Sequence, residues 1–173
     1  MGVFGDIKGM FEKGKGYVFV PLASVVFMDG DRVLIIKTPE GKNRYGPDVW
    51  QLPESELFLG KTPEECLKFT LKERLNAEFS KSNLLDVITG MVERKGVLIH
   101  ILMIIYQAKL TDSITSKDCE YKWAGLEEIE KMKLAGYALK IIEDIFKMRA
   151  KLEKDIDELN SVLDKGKNVE IKW

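Results

Sequence analysis

The sequence predicts an α+β fold, a mixed α/β sandwich with a long C-terminal helix. Three observations carry this: two β-branched-rich hairpins, an amphipathic helix between them, and a far longer helical pattern that closes the chain. With 173 residues, 45% hydrophobic and 32% charged, the chain has enough apolar material for one core and little room for a second domain. The expected division is a domain over 1–146, including an N-terminal helix, and a helical extension with tail over 147–173.

Each element has a local reason. Val3, Phe4, Ile7, Met10 and Phe11 recur at three and four residues, the spacing of a short amphipathic helix that Gly14 and Gly16 end. The runs "YVFVPLASVVFM" and "RVLIIKT" flank Asp29-Gly30, a strong hairpin signal. Pro39 to Val49 gathers Gly, Pro and Asn with Lys42 and Arg44, the mark of a long loop. A short strand is expected at Trp50 to Pro53. A helix follows, with Thr62 as N-cap, Pro63 as first residue, and Glu64 and Glu65 at the positive helix end, where Thr62 and Glu65 have capping-box spacing.

Two apolar runs about "ERKG" form a second hairpin, and the second of them, Val97 to Leu110, lacks polar alternation, as in a central strand covered on both faces. "CEYKWAGL" is a further short strand. From Leu134 onward, Ala138, Ile141, Ile145, Met148, Leu152, Ile156, Leu159 and Leu163 define one helix of about 30 residues, about 45 Å long. Its stripe either packs on this chain's own sheet or pairs with a second copy, and a homodimer is expected. The closing "GKNVEIKW" reads as an added strand.

Lys plus Arg total 27 against 28 Asp plus Glu, so no global field draws the protein to nucleic acid or acidic membranes. The amino end lacks the uninterrupted apolar core of a signal peptide. Cys66 and Cys119 are far apart and lack metal-ligand spacing. The expectation is a cytoplasmic protein with free thiols. Abundant Lys and Glu with only two glutamines, Gln51 and Gln107, resembles the composition of thermophile proteins.

The segment "WQLPESELFLGKTPEECLKFTLKERLNA" falls in register with the signature of the Nudix hydrolases. Trp50, Leu52 and Pro53 resemble its lead-in, Gly60 its mid-loop glycine, "TPEE" its helix start, and Leu71 its buried aliphatic. "EYKWAGLEEI" resembles the family's strand before its closing helix, and the likeness spans about Pro21 to Phe146. It implies hydrolysis of a diphosphate linked to another group, usually a nucleoside, with magnesium or manganese. Such chemistry needs cations held by clustered carboxylates, which on a helix means acids at i, i+3 and i+4.

Here those three positions are Thr70, Glu73 and Arg74. A guanidinium where a divalent ion belongs repels it by about 4 kcal/mol per unit charge at about 4 Å and an effective dielectric near 20. Ser55 stands at the motif's first glycine, Glu54 at the glycine often before it, Lys61 at the loop glutamate, Phe69 at the arginine, and Asn76 at the closing glycine.

The expected function is therefore a Nudix-fold module that binds a nucleotide-like or phosphorylated ligand, or serves assembly, without metal-dependent hydrolysis and with no cofactor. The alternative is an active hydrolase using Mg or Mn on Glu73, Glu120 and one of Glu54 or Glu56. Glu73 is either a surviving metal ligand or an exposed helix residue, and Glu120 either a secondary acidic site or solvated. Arg74 either binds the anion, with Lys61 and Arg44, or pairs with Glu78. Tyr45, Trp50 and Phe58 are candidates to stack a base, with Trp50 equally explained as core. His100, the only histidine, sits in an apolar strand and reads as structural.

Overall fold

A computed structural model of the chain describes residues 16–39, 43, 45–94, 96–116 and 118–167. The expected N-terminal helix, Arg44, Lys42 and most of the proposed terminal strand lie outside these residues. Six strands form one sheet: β1 (Gly16–Asp29), β2 (Arg32–Lys37), β3 (Glu54–Glu56), β4 (Asn83–Arg94), β5 (Val97–Ala108) and β6 (Glu120–Ala124). Three helices accompany them among the described residues: α1 (Pro63–Leu75), α2 (Leu126–Ile129) and α3 (Gly136–Lys167). The strand order is β4-β5-β1-β2-β6, with β3 paired to β1 off that path.

Both hairpins form where the turn residues demand. Gly30 has φ 58° between β1 and β2, and Gly96 has φ 76° between β4 and β5, values that favour a residue without Cβ. β1 runs parallel to β5 along twelve residues, from Gly16↔Val97 to Phe27↔Ala108, and antiparallel to β3 at Leu22↔Glu56, Ala23↔Ser55 and Ser24↔Glu54. The short strand expected at Trp50 to Pro53 starts later, at Glu54. Trp50 and Gln51 instead make single bridges, to Leu134 and Ile36.

Alternation along β1 creates two cores. Leu22 and Val26 pack with Ile35, Met103 and Ile105 beneath Ala138, Ile141, Ile142 and Ile145 of α3. Ala23, Val25 and Phe27 face the other way, against Leu67, Leu71 and Leu75 of α1, with Phe79 edge-on to Phe27 at 5.7 Å. The sheet is thus sandwiched between helices, as the α+β reading requires. β5 lies inside the sheet, but only Met103 and Ile105 of its apolar run are fully buried. Its first half is half-buried, with Ile101 packed against the core under α3, so the expected two-faced cover is partial.

α1 begins as its sequence dictates. Glu65 N–H donates to Thr62 Oγ1 at 3.3 Å, and Thr62 N–H donates to Glu65 Oε2 at 2.7 Å, completing the capping box. Those hydrogen bonds from Thr62 hold the Glu65 carboxyl below the ordinary glutamate range. Asn76 closes the helix at φ 47°, the left-handed cap that asparagine tolerates.

α3 runs for 32 residues, about 48 Å at 1.5 Å per residue. Its first half is core. Arg149 then clamps it to the β1–β2 turn, through Asp31 Oδ1 at 3.2 Å and the Gly30 carbonyl. Around and beyond that clamp Met148, Leu152, Ile156 and Leu159 of the predicted stripe are exposed, as is Val162 beside it, so of the described part of the stripe only Ala138, Ile141 and Ile145 pack in cis. Among the described residues no helix is long and apolar enough to cross a membrane.

Candidate functional site

The start of β3, the end of β2 and the open face of α1 enclose a cavity of about 280 Å³, lined by Thr38, Gln51, Glu54, Ser55, Glu56, Phe58, Thr70 and Arg74. Backbone pairing fixes its floor. Val25 N–H and the Ser24 hydroxyl both donate to the Pro53 carbonyl, at 2.9 and 3.1 Å, and Gln51 exchanges two 2.9 Å bonds with Ile36. These contacts seat Glu54, Ser55 and Glu56 against β1, while the 3.6-residue period of α1 brings Thr70 and Arg74 to one side of it.

Thr70 and Ser55 are hydrogen-bonded through their hydroxyls at 2.7 Å. A carboxylate at position 70 would have projected into the cavity, whereas the threonine is short enough for its hydroxyl to be satisfied by Ser55. Arg74 is half-buried and has no ion pair within 4.0 Å among the described residues. The expected Arg74–Glu78 pair does not form: α1 ends at Leu75, so Glu78 lies beyond the left-handed turn of Asn76 and binds Lys72 instead. That bond lowers the Glu78 pKa and raises that of Lys72.

Glu54 is buried, and its Oε2 accepts from the hydroxyls of Tyr45 and Tyr137, each at 2.8 Å. Burial first, and then the adjacent Glu54 carboxylate, push the Tyr137 hydroxyl well above the ordinary tyrosine range. Tyr137 therefore remains a donor. Three elements meet at this carboxylate: the loop before β3, β3 itself and the first turn of α3. Tyr45 consequently serves the wall behind the cavity and does not line it.

The other expected residues fall in different places. Phe58 lines the cavity at its rim, edge-on to Phe69 at 5.7 Å. Lys61 is exposed, with Nζ 5.9 Å from the Phe69 ring centre, and does not line the cavity. Glu73 is exposed and does not line it either. Trp50 packs against the core beneath α3, and its N–H and carbonyl join Lys133 and Ala135, each at 2.8 Å. Lys37 Nζ lies 5.3 Å from its ring centre.

Glu120 borders a second cavity of about 340 Å³ with Lys37, Asp48, Asp118 and Cys119, and Thr38 lines both cavities. There its carboxylate meets Lys37 Nζ at 3.1 Å, with Asp48 at 3.8 Å on the same ammonium. Burial raises the Cys119 thiol pKa, so this cysteine stays protonated near neutrality. His100 shares a 3.0 Å hydrogen bond with the Tyr17 hydroxyl and lines neither cavity.

Sequence reasoning brought Arg74, Thr70, Ser55 and Phe58 to one place and passed over Gln51, Thr38 and Tyr137. Gln51 had a signal, as a polar side chain between Trp50 and Leu52 in an otherwise apolar lead-in. Tyr137 had none, because its partner is 83 residues away.

No protein-family model matches the sequence, and no curated protein is similar to it. Solved structures are. The MutT NUDIX hydrolase from Burkholderia pseudomallei has a TM-score of 0.62 at 17% identity, over 72% of this chain and 96% of that one. The NUDIX domain of Shewanella oneidensis NrtR, solved with ADP ribose, has a TM-score of 0.59 at 16% identity, over 86% of this chain and 99% of that one. A C. elegans Ap4A hydrolase in a binary complex has a TM-score of 0.57 at 16% identity, over 76% and 98%. At such identities the likeness speaks for architecture alone, and the architecture is the Nudix fold.

Proposed function

We propose that this chain is a Nudix-fold module that binds a nucleotide-like or phosphorylated ligand in the Arg74 cavity and lacks metal-dependent hydrolysis. The observation that carries the reading is the Arg74 guanidinium, lining the cavity without an ion-pair partner among the described residues. A half-buried guanidinium makes strong charge-assisted bonds with phosphate oxygens. Phe58 at the rim, 38% exposed, offers a ring face or edge to a base. The NrtR domain with ADP ribose supports the same class of ligand by analogy of fold.

The donor set does not fit a divalent cation. Magnesium requires near-octahedral oxygen ligands. Among the described residues no three His, Cys, Asp or Glu side chains form a group able to hold a metal ion. Thr70 is bonded to Ser55, Glu54 is held by two tyrosines, and Arg74 adds a positive charge to the same space. The residues present therefore suit direct recognition of an anion.

One observation favours the alternative, a hydrolase with a non-standard metal site: Glu54 and Glu56 both line the cavity that holds Arg74. Calorimetric titration with ADP-ribose, in EDTA and then in magnesium or manganese, separates the two. Binding in EDTA that Arg74→Ala weakens at least tenfold, with no product in the presence of metal, supports the binding module. Metal-dependent turnover abolished by Glu54→Gln or Glu56→Gln establishes the hydrolase instead.

A further inference from the structure

The cavity wall holds a hydrogen-bond acceptor that nothing among the described residues satisfies. Gln51 is 3% exposed and borders the cavity, yet its Oε1 has no hydrogen-bond partner among the described residues. Buried polar atoms are nearly always paired, and an unpaired one costs stability that an apolar side chain of similar size would not. The bonds to Ile36 fix the Gln51 backbone. Its Oε1 is itself shut off from solvent, so a ligand reaches it once the side chain turns the carbonyl toward the cavity that Gln51 borders.

The lining defines what that ligand must bring. The side-chain oxygen of Gln51 accepts hydrogen bonds and donates none. The Ser55 and Thr70 hydroxyls are engaged with each other, and Arg74 is the one cation among the described lining residues. A ligand with one phosphate directed at Arg74 and an N–H or O–H group directed at Gln51 Oε1 meets complementary chemistry at both.

We infer that Gln51 is the specificity-determining residue of this cavity, its Oε1 accepting from an N–H or O–H of a sugar-phosphate or nucleoside-type ligand whose phosphate is held by Arg74. The inference rests on the reading of the cavity as a phosphorylated-ligand site. It adds that donor groups, and not phosphate alone, decide what enters.

The test titrates ADP-ribose, ribose 5-phosphate and inorganic pyrophosphate, in EDTA, into the full-length wild type, Q51L, Q51E and R74A, with thermal unfolding of each ligand-free protein. Wild type should bind the two ribose compounds and pyrophosphate at least tenfold more weakly. Q51L should lose about tenfold in affinity for the ribose compounds while its ligand-free midpoint rises, because the unpaired carbonyl is gone. Q51E, which keeps acceptor oxygens, should retain more affinity than Q51L. Q51M repeats the measurement if leucine disturbs the packing.

If R74A weakens ADP-ribose and Q51L does not, the role of Gln51 falls and the binding reading stands. Pyrophosphate binding as tightly as ribose 5-phosphate overturns the donor requirement, and Q51E weaker than Q51L overturns the acceptor role. Absence of binding by wild type to both ribose compounds overturns the inference together with the reading beneath it.

Discussion

Ser55 and Thr70 meet hydroxyl to hydroxyl at 2.7 Å across the β3–α1 seam. Each is an ordinary residue alone, but together they close a place that the Nudix signature leaves to a glycine and a carboxylate. The two departures are coupled: a serine at 55 supplies the partner that a threonine at 70 needs, and a glutamate at 70 would crowd the Ser55 side chain. A single reversion should therefore be worse than a combined one.

That coupling makes a prediction about metal. T70E alone should destabilise the fold by about 1–3 kcal/mol, since it forces a carboxylate into a half-buried site with an unsuited neighbour. The triple variant S55G/T70E/R74E removes the obstruction and the guanidinium and places acids at all three positions of the helix turn. Its unfolding free energy should rise with added manganese, by about 2.7 kcal/mol at a hundredfold excess over Kd, while that of wild type should not move. An equal shift in wild type would mean that the native residues already hold the ion.

Tyr137 binds Glu54 where three elements converge, so its loss should be felt in stability and in its pH dependence. Tyr137→Phe leaves the buried carboxylate one donor short, a cost of about 1–3 kcal/mol. The folded pKa of Tyr137 lies above its ordinary value near 10. Above that pH the unfolded chain has released the proton that the folded chain retains, so stability falls as pH rises. Below pH 9 the contribution is complete. Denaturant unfolding between pH 8 and 11 should show wild type losing stability more steeply than Y137F at the alkaline end, and parallel curves would remove Tyr137 as the cause.

Much of the fold was legible because local chemistry and tertiary structure agree. Asp29-Gly30 turns where a hairpin demands it, and Thr62 with Glu65 starts α1 as the capping box prescribes. The site was legible where the Nudix-like register reaches it, as with Ser55, Phe58, Thr70 and Arg74. Gln51 showed only as a polar break in an apolar lead-in, and Tyr137 enters through a contact 83 residues away, which no local pattern encodes. The same applies to Trp50, whose ring could serve a base or the core until its bridge to Leu134 is seen. β5 shows the converse: an apolar run predicts burial, but how far a helix reaches over it depends on packing.

Glu120 and Lys37 form an ion pair at 3.1 Å, with the Glu120 side chain 65% exposed. Screened pairs of this kind contribute little, typically between 0 and 1 kcal/mol. Glu120→Gln should therefore change unfolding free energy by no more than about 0.5–1 kcal/mol and leave ADP-ribose affinity within about twofold. A tenfold loss of binding, or loss of any metal-dependent turnover, would make the second cavity part of the functional site.

The outer half of α3 carries the last prediction. Met148, Leu152, Ile156, Leu159 and Val162 are 47–66% exposed on a helix whose remaining positions there are mostly Lys, Glu and Asp. A continuous apolar stripe on a helix is stabilised by burial, at about 25 cal/mol per Å² removed from water, and the chain's own sheet is used up by Ile145. A second copy offers the same stripe with the same spacing. The steps of four and four from Met148 to Ile156 break a strict heptad, so the pairing should be short and concentration-dependent. Light scattering should then give twice the chain mass of 19.8 kDa at high concentration, and L152K/I156K should give the chain mass alone. Because both residues are exposed, the helix content by circular dichroism should not change. A wild type that scatters as a single chain at every concentration would leave the stripe without this partner.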